Sequence, residues 1–144
     1  MKYYFYFIIS IFLFFSACSG VDSRVNKSFK NTENTIALKD LTARDHEMMD
    51  AGSQLEDALE DTIARSVFII THEDPKYILK YKVLNYTKGR ALSKSTLEVK
   101  AALYDEGDMV GAWTVDAWVR GAKARLFQKA ADEITRHLRG DRDF

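Results

Sequence analysis

The chain has 144 residues, enough for one domain and too few for two. Its 21 basic and 21 acidic residues cancel, so no net positive field argues for nucleic acid as a partner. Cys18 is the single cysteine, which excludes an internal disulfide and any metal site made of several thiolates.

The N-terminus has three parts. Lys2 supplies a positive charge, Tyr3 to Phe15 is an apolar run broken only by Ser10, and the small residues Ser16 and Ala17 precede Cys18. The run is short of the roughly 20 residues that a spanning helix needs. No basic cluster follows it, because Ser19 to Ser23 are small or polar. This is the layout of a secretory signal; an uncleaved anchor helix, or an ordinary signal with an incidental cysteine, is the alternative. Phe15-Ser16-Ala17-Cys18 resembles the bacterial lipobox, with Phe15 in place of the usual Leu. That resemblance implies cleavage before Cys18 and fatty acylation, by chains such as palmitate, of its thiol and of the new amino group. Each buried CH₂ then holds the anchor by about 0.8 kcal/mol. Ser19 resembles the export signal for the outer membrane. The resulting division is a signal peptide over 1–17, an acylated cysteine and flexible tether over 18–34, one periplasmic domain over 35–140 and a frayed tail over 141–144.

Residues 19–45 show no convincing period and are rich in turn formers; within them Thr35 to Leu38 is a possible short strand. From 46 to 65, Met48, Ala51, Leu55, Ala58, Leu59, Thr62 and Ile63 form one apolar stripe, which predicts a helix capped by Asp45. Val67 to Ile70 reads as a short buried strand, ended by a turn at Asp74-Pro75. Three alternating segments follow. Residues 77–86 place Tyr77, Leu79, Tyr81 and Val83 on one face. Residues 96–104 place Leu97, Val99, Ala101 and Leu103 there. Residues 109–120 do the same with Trp113, Val115, Ala117 and Val119. Short loops join them, so they predict an antiparallel meander whose register is set by its own alternation. A closing helix over 122–139 has a stripe of Ala122, Leu126, Phe127, Ala130, Ala131, Ile134 and Leu138, with Gly140 as its stop. The expected fold is α+β: an antiparallel sheet of about four or five strands with two helices packed on one face.

This element order, with the lipobox and the run from Leu103 to Trp113, resembles small envelope lipoproteins with a domain like the N-terminal one of TolB. That group includes lipoprotein activators of penicillin-binding proteins and the curli-secretion lipoprotein. The resemblance implies a membrane-attached scaffold or partner-binding domain and carries over no catalytic residue. Asp105, Gly107 and Trp113 are hairpin and packing residues in it.

No arrangement of residues in the sequence forms a catalytic centre. His46-Glu47 is followed by Asp50 rather than a second histidine, so the metalloprotease helix motif is absent. His72-Glu73-Asp74 lacks the further ligands a metal would need. His137 suits the negative end of a helix. The carboxylates of 56–61 sit on a helix face and those of 105–108 on a hairpin tip, without the burial that acid–base work needs, Ser93 and Ser95 lack a nucleophile elbow, and Gly107 and Gly111 do not form a phosphate loop. No enzyme, metal or cofactor is expected. From Lys76 to Lys94 there are six positive residues and no negative one. Lys80, Lys82 and Tyr86, with Tyr104 and Trp118 from the neighbouring strands, are expected to share the wet face of the sheet. Such a face suits an envelope protein partner, or alternatively a small ligand, anionic glycan or lipid. The plain alternative is a solvated strand face whose lysines discourage edge aggregation.

Overall fold

The computed structural model describes residues 19–27, 34–90, 93–121 and 123–140. The signal segment, Cys18 and residues 141–144 lie outside them, as does Ala122. The elements in chain order are β1 (Ser19–Lys27), β2 (Thr35–Asp40), α1 (His46–Ala64), β3 (Ile69–Ile70), β4 (Tyr77–Thr87), β5 (Lys94–Asp105), β6 (Asp108–Arg120) and α2 (Ala124–Arg139).

The meander forms as its alternation requires. β4, β5 and β6 pair antiparallel, with Leu79 opposite Leu103 and Val99 opposite Val115. Their expected inward residues are all buried, from Tyr77 at 1% exposure to Trp113 at 1%. Asp105 and Asp108 close the β5–β6 hairpin around Glu106 and Gly107, both with positive φ (49° and 90°). Glycine at the second of these positions lets the turn twist with the strands. Both helices lie on this buried face: α1 over β2, β3 and β4, α2 over β5, β6 and β1, each against the other. Asp45 caps α1 by accepting from the Met48 amide at 3.0 Å. Gly140 ends α2 in the left-handed conformation. Burying a large apolar side chain contributes about 1.5–3 kcal/mol, and Leu55, Leu59, Leu126 and Ile134 are fully covered between helices and sheet.

The sheet differs from the expected four or five antiparallel strands. It has six, in the order β1-β6-β5-β4-β2-β3, and it is mixed. β2 runs parallel to both β3 and β4, because α1 carries the chain across the face between β2 and β3 and returns it in the same direction. Ser19–Lys27, assigned above to the tether, is a nine-residue strand pairing antiparallel with β6, Ser19 opposite Val119 and Val25 opposite Trp113. Its sequence hides this because an edge strand needs few apolar residues; Ser23 on its inner side is held by hydrogen bonds to α2 instead. The segment 67–70 is less buried than expected. Only Ile69 and Ile70 pair, Val67 and Ile69 are more than half exposed, Phe68 is buried in the core and Ile70, partly buried, packs against it.

Candidate functional site

The helices leave one face of the sheet open. Its residues follow from the register: Ala37 and Lys39 on β2, Ile78, Lys80 and Lys82 on β4, Glu98, Lys100, Ala102 and Tyr104 on β5, Ala112, Thr114, Asp116 and Trp118 on β6, and Asp22 on β1. Asp22, Asp116 and Glu98 form an acidic row beside the lysines. Lysines stand directly opposite one another twice. Lys39 faces Lys80 across β2 and β4, and Lys82 faces Lys100 across β4 and β5. Like charges at such positions repel. Among the described residues no carboxylate forms an ion pair with any of these four; the nearest compensated lysine is Lys76, 3.1 Å from Asp105 at the rim. The ammonium of Lys80 rests over the Tyr104 ring, 4.0 Å from its centre, a contact worth about 0.5–1 kcal/mol on a surface.

Lys80, Lys82, Lys100 and Tyr104 border a depression of about 320 Å³, which Lys39 does not reach. Its floor is Ala102 and Ala112, which are partners in the β5–β6 ladder, and two small side chains together leave the hollow. Lys80, Lys82, Lys100, Tyr104 and Asn26 stand around it. An acidic or hydroxyl-rich surface entering it meets three lysines from β4 and β5, the Tyr104 ring and the apolar Leu41 and Met109.

The predicted surface residues thus divide. Lys80, Lys82 and Tyr104 come together. Trp118 shares their face but lies toward the other end, over Gly20 and beneath the Lys94 ammonium at 4.4 Å. Tyr86 does not share it. The β4–β5 register shifts between Val83 and Asn85, and this bulge turns Tyr86 onto the helix side, its ring 5.4 Å from that of Phe127. Burial and the Asp50 carboxylate push its hydroxyl pKa up. There it borders an open cleft of about 880 Å³ with His46, Met49 and Lys88, at the start of α1. Lys39 and Lys100 were missed as members. Lys100 carried its signal in the alternation of β5, but Lys39 is placed by a parallel pairing that no local pattern reveals.

A second cluster joins β1 to α2. Ser23 Oγ donates to Glu133 Oε1 at 2.5 Å and lies 2.8 Å from His137 Nε2. His137 stacks on Trp113 at 5.8 Å. Arg136 pairs with the same carboxylate, its Nε 3.1 Å from Oε2. Burial pulls the Glu133 pKa up, but the hydrogen bonds from Arg136 and Ser23 and the charges of Arg136 and His137 outweigh it and hold the carboxyl below its usual value. Serine, histidine and glutamate in contact invite comparison with a nucleophilic triad. Here, however, Glu133 sits 3.2 Å from Nε2, the nitrogen that also meets the serine. A triad places its carboxylate on the opposite nitrogen and leaves the serine proton to the ring. The cluster fastens the edge strand. Among the described residues no group of three or more His, Cys, Asp or Glu can hold a metal ion, and no helix is long and apolar enough to cross a membrane.

No protein-family model and no curated protein matches the sequence. Solved structures do match the fold. The PelC dodecamer from Paraburkholderia phytofirmans is similar over 86% of this chain and 99% of that one, at 15% identity and a TM-score of 0.58. A minor lipoprotein from Acinetobacter baumannii is similar over 75% of this chain and 94% of its own, at 16% identity and a TM-score of 0.52. Lipoprotein GNA1162 from Neisseria meningitidis is similar over 74% and 98%, at 10% identity and 0.50. The chain shares its fold with these proteins, two of which are lipoproteins. At these identities the likeness concerns the fold alone.

Proposed function

We propose that the chain is a non-enzymatic lipoprotein of the bacterial cell envelope, anchored through Cys18 to the outer membrane and facing the periplasm. Its open sheet face docks onto an acidic surface of an envelope protein. The observation that carries the docking is the pair of lysine–lysine oppositions, Lys39 with Lys80 and Lys82 with Lys100, of which Lys80, Lys82 and Lys100 border the hollow floored by Ala102 and Ala112. A folded protein gains nothing from four facing cations by itself, whereas an incoming anionic surface turns the repulsion into attraction. The lipobox resemblance and the lipoproteins of the same fold support the address.

The test places a photo-crosslinking residue at Ala102 in living cells, with Asp57 on α1 as the control position. The reading expects one discrete protein adduct from Ala102, absent from Asp57 and lost when Lys82→Glu and Lys100→Glu are added. Equal labelling from both positions, or an adduct indifferent to the two reversals, refutes it. The Tyr104 ring with its lysine, beside a hollow at the lower end of small-ligand volumes, favours a second reading in which the same face takes an anionic glycan. Retention on an immobilised polyanionic glycan, without any protein adduct, would select that reading.

A further inference from the structure

Six cations are concentrated at one end of the sheet. At the end where β1 begins, Ser19 pairs with Val119, Val119 pairs with Ser95, and Lys94 pairs with Arg120. The loop after Thr87 brings Lys88 and Arg90 to the same end, where the Gly89 amide donates to Ser95 Oγ at 3.0 Å. Lys123 and Arg125 follow Arg120 into the first turn of α2. Five of these six cations are exposed and Lys123 is half-buried. Among the described residues none of the six is ion-paired. Carboxylates lie one layer inside this end: Asp22, Asp116 and Glu98 are aligned across β1, β6 and β5, and Asp45, Glu47 and Asp50 begin α1 on the β4 side. The opposite end of the sheet carries Glu73, Asp74, Asp105, Glu106 and Asp108 in its turns.

On the reading that Cys18 bears the anchor, we infer that this basic end of the sheet lies against a bilayer surface of anionic lipid headgroups. Three observations converge on that surface. Ser19, the residue bonded to Cys18, is already within the ladder, and its Cα is only about 3.8 Å along the chain from that of Cys18. No slack therefore separates the acyl chains from the fold. The outermost positions at the end where that attachment leaves the domain carry the six cations, and the turns at the far end carry five carboxylates with Lys76 paired to Asp105. Trp118 lies across Gly20, one pairing step inside Ser19, with the Lys94 ammonium over its ring; an aromatic ring with a basic neighbour suits the headgroup zone. The domain stands with its strands rising from the membrane, the β5–β6 hairpin outermost and the lysine-bordered hollow on its flank.

The test uses the chain from Cys18 onward, unacylated, which retains every described element. It is sedimented with vesicles of phosphatidylcholine alone and with vesicles containing phosphatidylglycerol. Binding to the anionic vesicles only, released by high salt, is expected. Each basic residue near an anionic surface is worth about fivefold in partitioning, so Lys94→Glu with Arg120→Glu should lower binding at least about 25-fold. Lys123→Glu with Arg125→Glu should do the same, with circular dichroism confirming the fold of each variant. Lys80→Glu with Lys82→Glu should leave vesicle binding unchanged. No binding to anionic vesicles, or an equal loss from the Lys80 and Lys82 reversals, overturns the inference. The mass of the Cys18 peptide from cells tests the anchor separately: an unmodified cysteine ends the anchor reading, whatever the vesicles show.

Discussion

Reversing one lysine in the hollow should make the protein more stable while it loses its partner. Lys82 faces Lys100 directly, and Lys80 precedes it on the same face. Opposed side chains across a ladder have Cβ atoms about 4.5–5.5 Å apart. With the ammonium groups splayed to about 6 Å in water, one like-charge pair costs about 0.7 kcal/mol. Lys82→Glu changes the sign of that interaction, so the swing reaches about 1.4 kcal/mol; side-chain ordering and salt leave about 0.5–1 kcal/mol of added stability. For a domain of this size each kcal/mol moves the melting midpoint by about 3–5 °C. Thermal unfolding followed by circular dichroism reads this directly. At about 1 M salt, where screening acts within about 3 Å, the gain should shrink toward zero. In cells the same substitution should weaken the Ala102 adduct. A variant that melts lower than the wild type at low salt, or whose gain is indifferent to salt, refutes the repulsion on which the docking face rests.

Tyr81 is 1% exposed and its hydroxyl has no partner among the described residues. Removing such a group relieves a desolvation cost of about 1–3 kcal/mol, so Tyr81→Phe should match or exceed wild-type stability in urea unfolding. Glu133 has a folded pKa below its ordinary 4.5. Its contribution is therefore complete above about pH 4.5 and fades as pH falls through the lower folded value; hydrogen exchange should show β1 amides opening in acid, and Glu133→Gln should show that opening already at neutral pH. Glu56 behaves in the opposite sense. Burial first, then Asp40, Glu60 and Asp57, raise its pKa above 4.5, so its ionised form opposes folding and Glu56→Gln should raise the midpoint at neutral pH. A Cβ on Gly20 would fall 2.6 Å from Trp118 Nε1, so Gly20→Val should displace the indole, shift its fluorescence and cost about 1–3 kcal/mol.

The meander was legible because both of its faces have fixed neighbours. Leu97, Val99, Ala101 and Leu103 can only be buried together, and one step of slippage would expose all four. Helix α1 was legible from its stripe and its Asp45 cap. β1 was hidden because Ser19–Lys27 carries only Val21 and Val25 as apolar residues, both substantially exposed, and its anchorage at Ser23 depends on Glu133 and His137, more than a hundred residues away. Tyr86 was misplaced by a bulge, which inverts alternation without changing composition. The four-lysine face was half visible. Lys80, Lys82 and Lys100 alternate on two meander strands, while Lys39 joins them through a parallel neighbour reached by way of a helix.

The pairing of β1 with β6 also orders events in time. Ser19 is among the first residues of the folded body, and Val119, opposite it, is a hundred positions later. A closure over such a separation is slow and follows the local hairpins. While β1 waits, β6 presents an open hydrogen-bonding rim, and the β1 of a neighbouring copy fits that rim as well as its own does. At high surface density on one membrane, exchange of this strand between molecules is the characteristic error the architecture invites.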